Sequence, residues 1–298
     1  NHYFLHGTGF HDLYEGTTPV KAPGQYFPEL MTERSIAFIE ESKDKPFFLY
    51  FPLNIPHYPE QAPEKFAEPF KDLKDPARKS YATIMHATDH YVGRVVDKIE
   101  ELGLRKDTLF IYMSDNGHSE ETGNRIRVDN HKSGHPKGHF YGASGGGFTG
   151  KWKGQKGSFL EGGIRVPAII SFPTKLPQGE TRDQVVTSMD WLPTVMELCG
   201  IERKKDDPKL DGHSLLPLIR SAKAESGYGD VLHFQWHTQW AVRKGEWKLI
   251  GRGTKASFLG NVNDEQPERK NYAKEKPELV ARLLEMHEKW SAEVKPAK

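Results

Sequence analysis

The residues of this sequence that are best suited to chemistry are polar side chains that follow apolar, strand-like stretches. Asp115 and Asn116 come directly after the apolar run at residues 108–113. Their carboxylate and amide oxygens are hard ligands of the kind that Ca²⁺ and Mg²⁺ accept, and open α/β sheets bind ligands outside the carboxyl ends of their strands. The stretch is therefore a candidate metal or anion site. An ordinary turn at Asn116-Gly117 gives the same pattern, and the stretch taken alone favours that structural interpretation.

A histidine and a lysine stand in comparable places. His57 follows a second strand-like run at residues 46–53 and lies between two prolines, which restrict the backbone around it. Lys156 lies in the loop before a third run at residues 167–172. A metal ion, a lysine ammonium and an imidazole that converge on one crevice suit a tetrahedral oxyanion ester, a sulfate or a phosphate. Each residue also has a structural alternative, as a loop histidine or as a solvated surface lysine.

The elements that must position these side chains alternate between strand and helix. The apolar runs have the residue types and lengths of strands buried on both faces. From residue 231 the pattern changes to an antiparallel hairpin that turns at Lys244-Gly245. Helical spacing of apolar residues predicts helices over residues 28–42, 80–102, 190–198 and 277–290, with Asp190 as the cap of the third.

This order of elements predicts an α/β domain over residues 1–225 and a small α+β subdomain over residues 226–298. In the subdomain, an antiparallel sheet is followed by a closing helix. We expect Trp236, Trp240 and Trp247, which recur at hairpin spacing, to form its core.

The composition excludes several classes of protein and site. The 298 residues suffice for one large α/β domain, or for a large domain and a small one. The formal charge of +1 gives no basic field suited to nucleic acid, and no apolar run is long enough to span a membrane. The single cysteine, Cys199, excludes an intrachain disulfide and a cysteine-based zinc site, and we expect it to be a small buried residue of a core helix.

The long polar, glycine-rich stretch at residues 119–163 is expected to be functional, because structureless loops of this length are uncommon in compact domains. Spacings within its histidines permit a zinc pair, but the glycine, proline and lysine residues around them favour a substrate pocket. Trp152 is a candidate platform for stacking a sugar ring. We expect the choice of substrate to be made within residues 119–150. The histidines of this region are His118, His131, His135 and His139.

Several stretches of the chain, in a fixed order, resemble the sulfatase family of the alkaline-phosphatase-like superfold. The most distinctive runs from Gly154 to Pro167 and reads GQKGSFLEGGIRVP, and the next is the apolar run followed by SDNG. The resemblance implies a largely parallel mixed sheet flanked by helices, followed by the small C-terminal subdomain. The matching stretches are residues 46–59, 108–118, 154–173, 187–201, 210–219 and 241–250.

The resemblance also implies roles for individual residues. Asp115 and Asn116 would be two ligands of a divalent cation, usually Ca²⁺, with Mg²⁺ as an alternative. Lys156 would hold the substrate sulfate. His57 would contact the sulfate or protonate the leaving oxygen.

The segment around Glu161-Gly162-Gly163 has a supporting role in this scheme. These residues and Arg165 would shape the loop rather than take part in the chemistry. Their spacing from Lys156 is the feature that distinguishes this lysine from Lys151 and Lys153 in the same loop.

One departure from the family pattern is large. The family's nucleophile is a formylglycine made from the first residue of a Cys/Ser-x-Pro/Ala-x-Arg motif, and this motif is absent from the chain. The family's amino-terminal Asp pair and its Gly-Lys-Trp-His motif are absent too. The matching part starts at a loop that reads GFHDLYE, at residues 9–15. We therefore expect chain preceding Asn1 to supply the nucleophile, the other metal ligands and any export signal.

The intact protein is expected to be an arylsulfatase-like sulfuric-ester hydrolase that acts on a sulfated carbohydrate or an aryl sulfate, while this chain alone would be inactive. Two alternatives stay open. One is a phosphoester or phosphonate hydrolase of the same superfold, because the oxyanions are nearly isosteric. The other is a non-catalytic fragment or pseudoenzyme that only binds sulfated glycans. The resemblance implies a periplasmic, secreted or lysosome-like location.

Overall fold

The computed structural model describes residues 13–22, 25–57, 60, 62–119, 126–128, 140–142, 147–229 and 231–294. The chain divides into two compact units. The first unit comprises residues 1–108 and 118–148, and the second unit comprises residues 109–117 and 149–298.

Helices and strands occur in both units. The helices are α1 (Phe27–Ser42), α2 (Pro76–Glu101), α3 (Glu161–Ile164), α4 (Trp191–Cys199), α5 (Leu216–Arg220) and α6 (Pro277–Glu293). The strands are β1 (Tyr14–Glu15), β2 (Thr18–Pro19), β3 (Phe110–Met113), β4 (Ile126–Val128), β5 (Phe140–Gly142), β6 (Ala168–Ser171), β7 (Val231–Trp236), β8 (Gln239–Lys244), β9 (Trp247–Arg252) and β10 (Lys255–Asn261).

The first unit contains the long helix α2, against which α1 packs. The prediction of a helix over residues 28–42 is confirmed by α1. α2 begins at Pro76, whose fixed φ suits a first helical position. The Asp75 carboxylate caps the helix by accepting hydrogen bonds from the N–H groups of Ala77 (2.9 Å) and Arg78 (3.3 Å). The helix therefore starts before the predicted residue 80, because its cap and proline precede the apolar periodicity.

The core of the first unit collects aromatic and aliphatic side chains from α2 and from the chain that follows residue 53. Glu60 is also fully buried in this unit, with 0% of its surface exposed. Burial raises the pKa of the Glu60 carboxyl to about 7, and the Ser80 hydroxyl opposes that rise. The buried core residues are Tyr26, Ile55, Ala62, Phe66, Ile84, Ala87 and Tyr91.

The strand predicted over residues 46–53 is not formed, and that prediction is wrong. No strand of the described residues pairs with this segment, and a strand requires a hydrogen-bonded partner. Its side chains alternate between half-buried and exposed, and Phe48 and Tyr50 are 79% and 75% exposed. Only one side of the segment is covered, so the apolar run alone did not reveal its surroundings.

In the second unit, β3 pairs antiparallel with β6, from Phe110 opposite Ser171 to Met113 opposite Ala168. Both strands were predicted, and both are confirmed as shorter elements. The expectation that they are buried on both faces is wrong, because Tyr112 is 43% exposed and Ile169 is 62% exposed. Every ladder recorded among the described residues is antiparallel, so the parallel pairing expected for the main sheet does not occur within them.

The C-terminal part of the second unit is a four-stranded antiparallel sheet with strand order β10-β9-β8-β7. The predicted hairpin is formed by β8 and β9, and its two-residue turn is Gly245-Glu246, one residue later than expected. Gly245 has a φ of +54°, as a tight hairpin turn requires. β10 was missed. The predicted closing helix, α6, packs on the sheet, where its Leu283 joins a buried cluster with Trp240, Val242, Leu249 and Leu259.

The three tryptophans predicted as the core of this sheet have different surroundings. Trp240 is 2% exposed and belongs to the core, and Trp247 packs against it. Trp236 is 56% exposed, so its assignment to the core is wrong. It is the last residue of the edge strand β7, where the sheet offers no further neighbour.

Helix α4 starts at Trp191, after a 3₁₀ turn at Ser188–Asp190. Asp190 is the N-cap residue of α4, as predicted, but its side chain makes no capping hydrogen bond to that helix. The side chain instead completes a capping box in which Thr187 is the N-cap residue of the 3₁₀ turn. Cys199 at the end of α4 is exposed, so its predicted burial is wrong. The helix buries Thr194 and Leu198, and Cys199 is not on that face.

Part of the stretch predicted as a long loop forms a short antiparallel pair in the first unit. β4 and β5 join with Ile126 opposite Gly142 and Val128 opposite Phe140. The three histidines between these strands, His131, His135 and His139, lie outside the described residues. No helix in the part of the chain that the structure describes has the length and apolarity to cross a membrane.

Candidate active site

Asp115, Asn116 and Gly117 form the turn that follows β3, here named the Asp-Asn-Gly turn. The Ser114 N–H donates to the Pro167 carbonyl (3.3 Å), and the Ser114 hydroxyl donates to the Asn116 carbonyl (2.9 Å). The Asn116 amide nitrogen donates a hydrogen bond to the Asp115 carboxylate. The two polar side chains therefore converge, and Asp115 remains exposed.

The short helix α3 lies against the Asp-Asn-Gly turn. The Gly117 N–H donates to the Gly163 carbonyl over 3.0 Å. A Cβ atom on Gly117 would lie 1.9 Å from the Gly162 carbonyl oxygen. No side chain fits at that distance, so this contact between backbones requires glycine at position 117.

The same helix supports the loop that carries Lys156. The Gly162 N–H donates to the Lys153 carbonyl (2.8 Å), which closes the loop. A Cβ atom on Gly163 would lie 2.4 Å from the carbonyl oxygens of both Gln155 and Ser158. The Gly-Gly pair of α3 is thus in direct backbone contact with two segments that are far apart in sequence.

Lys156 is the second residue of a β-turn, here named the lysine turn (Gln155, Lys156, Gly157 and Ser158). The Ser158 N–H donates to the Gln155 carbonyl over 3.0 Å, and the Ser158 hydroxyl donates to the same oxygen over 2.8 Å. Gly157 has a φ of +87°, as the third residue of a type II turn requires. Lys156 therefore stands at a fixed position on the loop.

The other lysines of this loop lie over aromatic rings. The Lys151 Nζ is 4.9 Å from the centroid of the Trp152 indole, and the Lys153 Nζ is 4.8 Å from that of Phe258. The Arg165 guanidinium also lies over Trp152, at 4.1 Å. Two cations of the chain therefore already lie over the ring of the predicted sugar platform.

The two candidate histidines belong to the first unit. His57 is exposed and follows the cis peptide between Ile55 and Pro56. His118 packs edge-on against Tyr81, with ring centroids 5.8 Å apart. A Cβ atom on Gly147 would lie 2.3 Å from the His118 Nδ1, so the glycine-rich chain passes close to this imidazole. The Asp-Asn-Gly turn and the lysine turn belong to the second unit.

The donor chemistry of the Asp-Asn-Gly turn fits part of a calcium site. Calcium takes roughly 6–8 oxygen ligands, and Asp115 and Asn116 offer side-chain oxygens from one turn. Rotating the Asn116 amide group by half a turn places its oxygen, instead of its nitrogen, beside the Asp115 carboxylate. The described residues contain no group of three or more His, Cys, Asp or Glu side chains arranged to hold a metal. The turn is therefore a partial ligand set.

An ion network beneath α3 was not predicted from the sequence. Glu161 is 2% exposed, and Lys248 and Glu268 are both 0% exposed. The Lys248 Nζ lies 2.6 Å from Glu161 Oε1 and 2.9 Å from Glu268 Oε1. Burial acts to raise the pKa of Glu161, but Lys248, Arg243 and Arg165 together hold it below its ordinary value. The available signal was a charged residue, Lys248, within an apolar strand.

Comparison with known proteins relates residues 2–289 of the chain to sulfatases. The family model described as Sulfatase matches residues 2–201, and the model described as N-sulphoglucosamine sulphohydrolase, C-terminal, matches residues 152–289. Arylsulfatase D of Homo sapiens is 32% identical over 217 residues, which are 70% of this chain and 33% of that protein. Steryl-sulfatase of Mus musculus is 30% identical over 223 residues, 72% of this chain and 32% of that protein. The chain spans about a third of the length of these relatives.

Solved structures share the fold. The crystal structure of Ps i-CgsB in complex with k-i-k-neocarrahexaose has a TM-score of 0.74 and 26% identity, and covers 93% of this chain and 57% of that one. The phosphonate monoester hydrolase of Agrobacterium radiobacter has a TM-score of 0.63 and 16% identity, and covers 92% of this chain and 62% of that one. The chain has the mixed α/β, alkaline-phosphatase-like fold of these proteins, with a C-terminal antiparallel sheet.

The family follows from the extent of the match and from where its most distinctive residues lie. The Sulfatase model covers 200 of the 298 residues. The matched part includes both turns that meet at the Gly-Gly pair of α3. The chain belongs to the sulfatase family.

Proposed function

We propose that this chain belongs to a sulfuric-ester hydrolase and carries the oxyanion-binding side of its active site. The observation that supports this most directly is the double contact of Gly162-Gly163. It holds the Asp-Asn-Gly turn on one segment and the lysine turn on another. A pair of hard oxygen ligands and an ammonium group are thereby fixed to one short helix, which suits the tetrahedral, negatively charged group of a sulfate ester.

Lys156 and His57 are the proposed catalytic residues of this chain. Lys156 would place its positive charge on a non-bridging oxygen of the sulfate, where negative charge increases in the transition state. His57 would donate a hydrogen bond to the sulfate or give a proton to the leaving oxygen. His118 and Trp152 are proposed to contact the organic part of the substrate.

Asp115 and Asn116 are proposed to supply two ligands to a divalent cation, Ca²⁺ or alternatively Mg²⁺. When bound, the cation would polarise the ester and offset charge on its oxygens. The task of the two side chains is to present their oxygens from a turn whose backbone is fixed by Ser114 and Gly163.

The nucleophile is proposed to be a formylglycine that lies outside these 298 residues, together with the remaining metal ligands. The sequence contains no Cys/Ser-x-Pro/Ala-x-Arg motif that could yield one. Tyr112 and Ile169 are exposed apolar residues of the β3–β6 pair, and strand residues of this kind are normally covered. Their exposure supports the proposal that further chain packs against this pair. By itself this chain is expected to be inactive. A domain boundary near residue 225 stays a prediction.

The substrate is proposed to be a sulfated carbohydrate or an aryl sulfate. Support comes from the relative Ps i-CgsB, whose crystal structure holds k-i-k-neocarrahexaose. We expect residues 119–150 to select among such substrates. A periplasmic, secreted or lysosome-like location is proposed from the family resemblance.

A phosphoester or phosphonate hydrolase is the second candidate. The structural likeness to a phosphonate monoester hydrolase supports it, although at 16% identity that likeness concerns the fold alone. Sulfate and phosphate esters present similar tetrahedral oxyanions, so Lys156 and the cation ligands would serve either one.

The two hydrolases are separated by assaying the intact protein on an aryl sulfate and on the matching aryl phosphate. The proposal expects turnover of the sulfate to exceed that of the phosphate. The reverse preference would support the phosphoester alternative. Binding of a sulfated glycan with no turnover of either ester would support the non-catalytic alternative.

Replacing Lys156 with alanine tests the site itself. Loss of a charge-stabilising group is expected to lower aryl-sulfate turnover by about 10²-fold or more. Lys151→Ala is the matched control, because Lys151 is an exposed lysine of the same loop whose ammonium lies over Trp152. Equal turnover in the two variants would remove Lys156 from the proposed site.

A further inference from the structure

A buried ion network joins α3 to the C-terminal sheet. Glu161, the first residue of α3, accepts a hydrogen bond at Oε1 from the Lys248 Nζ (2.6 Å). The same Nζ donates to the Phe159 carbonyl (3.0 Å) and lies 2.9 Å from Glu268 Oε1. Glu268 also accepts a hydrogen bond at Oε2 from the backbone N–H of Glu161 (2.6 Å). Lys248 and Glu268 thus hold the start of α3 through its side chain, its backbone and the residue two positions before it.

The charges of this network are arranged in a way that can fix the position of α3. Lys248 stands between two carboxylates, Arg243 lies 3.5 Å from the same Glu161 oxygen, and Arg165 lies 3.1 Å from the other one. Buried ion groups of this kind are weak contributors to stability, because their desolvation offsets their attraction. Their geometry, however, is specific, since leaving any one charge without its partner is unfavourable. The network is therefore better suited to setting the place of α3 than to stabilising the fold.

The backbone of Glu268 strengthens this interpretation. Its φ is +57°, in the left-handed region that residues with a Cβ atom seldom adopt. Such a conformation persists where the surroundings determine it, and it is enriched at functional sites. Here it accompanies a carboxylate that is fully buried and in contact with both Lys248 and the Glu161 N–H.

The position of α3 fixes both turns of the candidate site. Gly163 contacts the backbone of the lysine turn, and Gly162 contacts the backbone of Lys153 and Gly154 just before it, in both cases closely enough to exclude a Cβ atom. The Gly163 carbonyl accepts the hydrogen bond from Gly117 in the Asp-Asn-Gly turn. A displacement of Glu161 would consequently move the supports of Lys156 and of the cation ligands together.

We propose that Lys248 and Glu268 are positioning residues, which hold α3 so that the lysine turn and the Asp-Asn-Gly turn keep their mutual placement. They act from the C-terminal sheet and touch no reacting atom. Their consequence for turnover rests on the proposed function, whereas their control over the two turns does not.

Hydrogen exchange of the 298-residue chain tests the structural part. The informative amides are those of Gly117, Ser158, Gly162 and Gly163, whose hydrogen bonds close the lysine turn, begin α3 and join α3 to the chain on either side. Lys248→Met is expected to raise their exchange rates by about tenfold or more relative to the strand amides of β8 and β9. Lys248→Arg, which restores a cation, is expected to recover part of the protection. Lys255→Met is the matched control, since Lys255 is an exposed lysine of the same sheet.

A second variant keeps the test decisive if Lys248→Met fails to fold. Glu268→Gln retains the size of the side chain and an acceptor for the Glu161 N–H, and it removes only the charge. It is expected to raise exchange selectively in the same four amides. A uniform rise across the sheet and the turns, or no rise in the turns in either folded variant, would overturn the proposal.

Kinetics of the intact protein test the catalytic consequence. Lys248→Arg and Glu268→Gln are expected to lower kcat for an aryl sulfate by about tenfold or more, with a smaller change in KM, because small misplacements of catalytic groups affect the transition state most. Unchanged kcat in both variants would limit the role of the network to structure. If the unsubstituted protein hydrolyses no aryl sulfate, the proposed function fails, while the exchange result still decides the positioning role.

Discussion

At the scale of single residues, the structure separates side chains that are chemically alike. Lys151 and Lys153 lie over aromatic rings, Lys156 stands in a β-turn, and Lys248 is fully buried between carboxylates. The chemistry of an ammonium group is the same in each case. The surroundings decide whether it covers a ring, stands in a turn or lies buried between carboxylates.

Asp115→Ala in the intact protein is expected to weaken Ca²⁺ binding by about tenfold or more, because a charged ligand of a hard cation is lost. The metal content after dialysis, measured by mass spectrometry, checks this independently of activity. Asp107→Ala serves as the control, since Asp107 is an exposed acid that precedes β3. Full metal occupancy in the Asp115 variant would contradict its assignment as a ligand.

At the scale of elements, the four-residue helix α3 has more influence than its length suggests. It has no side chain at Gly162 or Gly163, and its backbone contacts the chain on two sides. An element this short is not stable by itself. Its conformation depends on the ion network beneath it and on the turns that it supports.

Gly163→Ala is expected to destabilise the second unit by about 1–3 kcal/mol, because the new Cβ atom would press on backbone oxygens that cannot move freely. Urea unfolding followed by tryptophan fluorescence measures this unit selectively, since every tryptophan of the chain lies in it. Gly93→Ala is the matched control. A Cβ atom there meets nothing within 4 Å, so α2 would be stabilised by up to about 1 kcal/mol without a change in the fluorescence transition. An unchanged transition in Gly163→Ala would show that α3 tolerates a side chain.

At the scale of the whole molecule, the two units contain buried groups whose titration affects stability in opposite directions. In the first unit, the pKa of Glu60 is raised to about 7 by burial. In the second unit, burial and then the neighbouring His287 lower the pKa of His233 to about 4. The pKa of His287 is lowered as well, by burial against the opposing charge of Glu288.

The pH dependence of each unit follows from these shifts. The folded first unit holds the Glu60 proton more tightly than the unfolded chain does, so its stability falls as the pH rises from about 4.5 to about 7. The folded second unit resists protonation of His233, so its stability falls as the pH drops from about 6.5 to about 4. Each group contributes at most about 1.4 kcal/mol per pH unit.

Matched substitutions check this prediction. Glu60→Gln is expected to reduce the decrease in stability of the first unit that accompanies a rise in pH from about 4.5 to about 7. Hydrogen exchange of the α2 amides measures this stability. His233→Phe keeps a ring to stack on Trp290, whose centroid is 4.9 Å away, and is expected to flatten the acid loss in the second unit, measured by tryptophan fluorescence. Slopes that do not change in the two variants would assign the pH dependence to other groups.

The sequence by itself determined those features that depend on local spacing. The family segments, the helices α1 and α6, the strands β3 and β6, and the hairpin of β8 and β9 were all predicted, because periodicity and turn chemistry act over a few residues. The spacing of Lys156 before Glu161-Gly162-Gly163 singled out this lysine from its neighbours, and its role in the site stays a prediction. The start of α2 also has a local signal, the capping residue Asp75 followed by Pro76. It was missed because both residues precede the apolar pattern that predicted the helix.

Only the tertiary structure decided which surfaces are covered and which distant charges meet. The residue types of β3 and of residues 46–53 suit burial on both faces, yet Tyr112 and Phe48 are exposed, because cover depends on neighbours that a strand's own sequence does not specify. Glu161 meets Lys248 and Glu268 across separations of 87 and 107 residues. No local pattern encodes such a contact, since it arises only when the C-terminal sheet packs beneath α3.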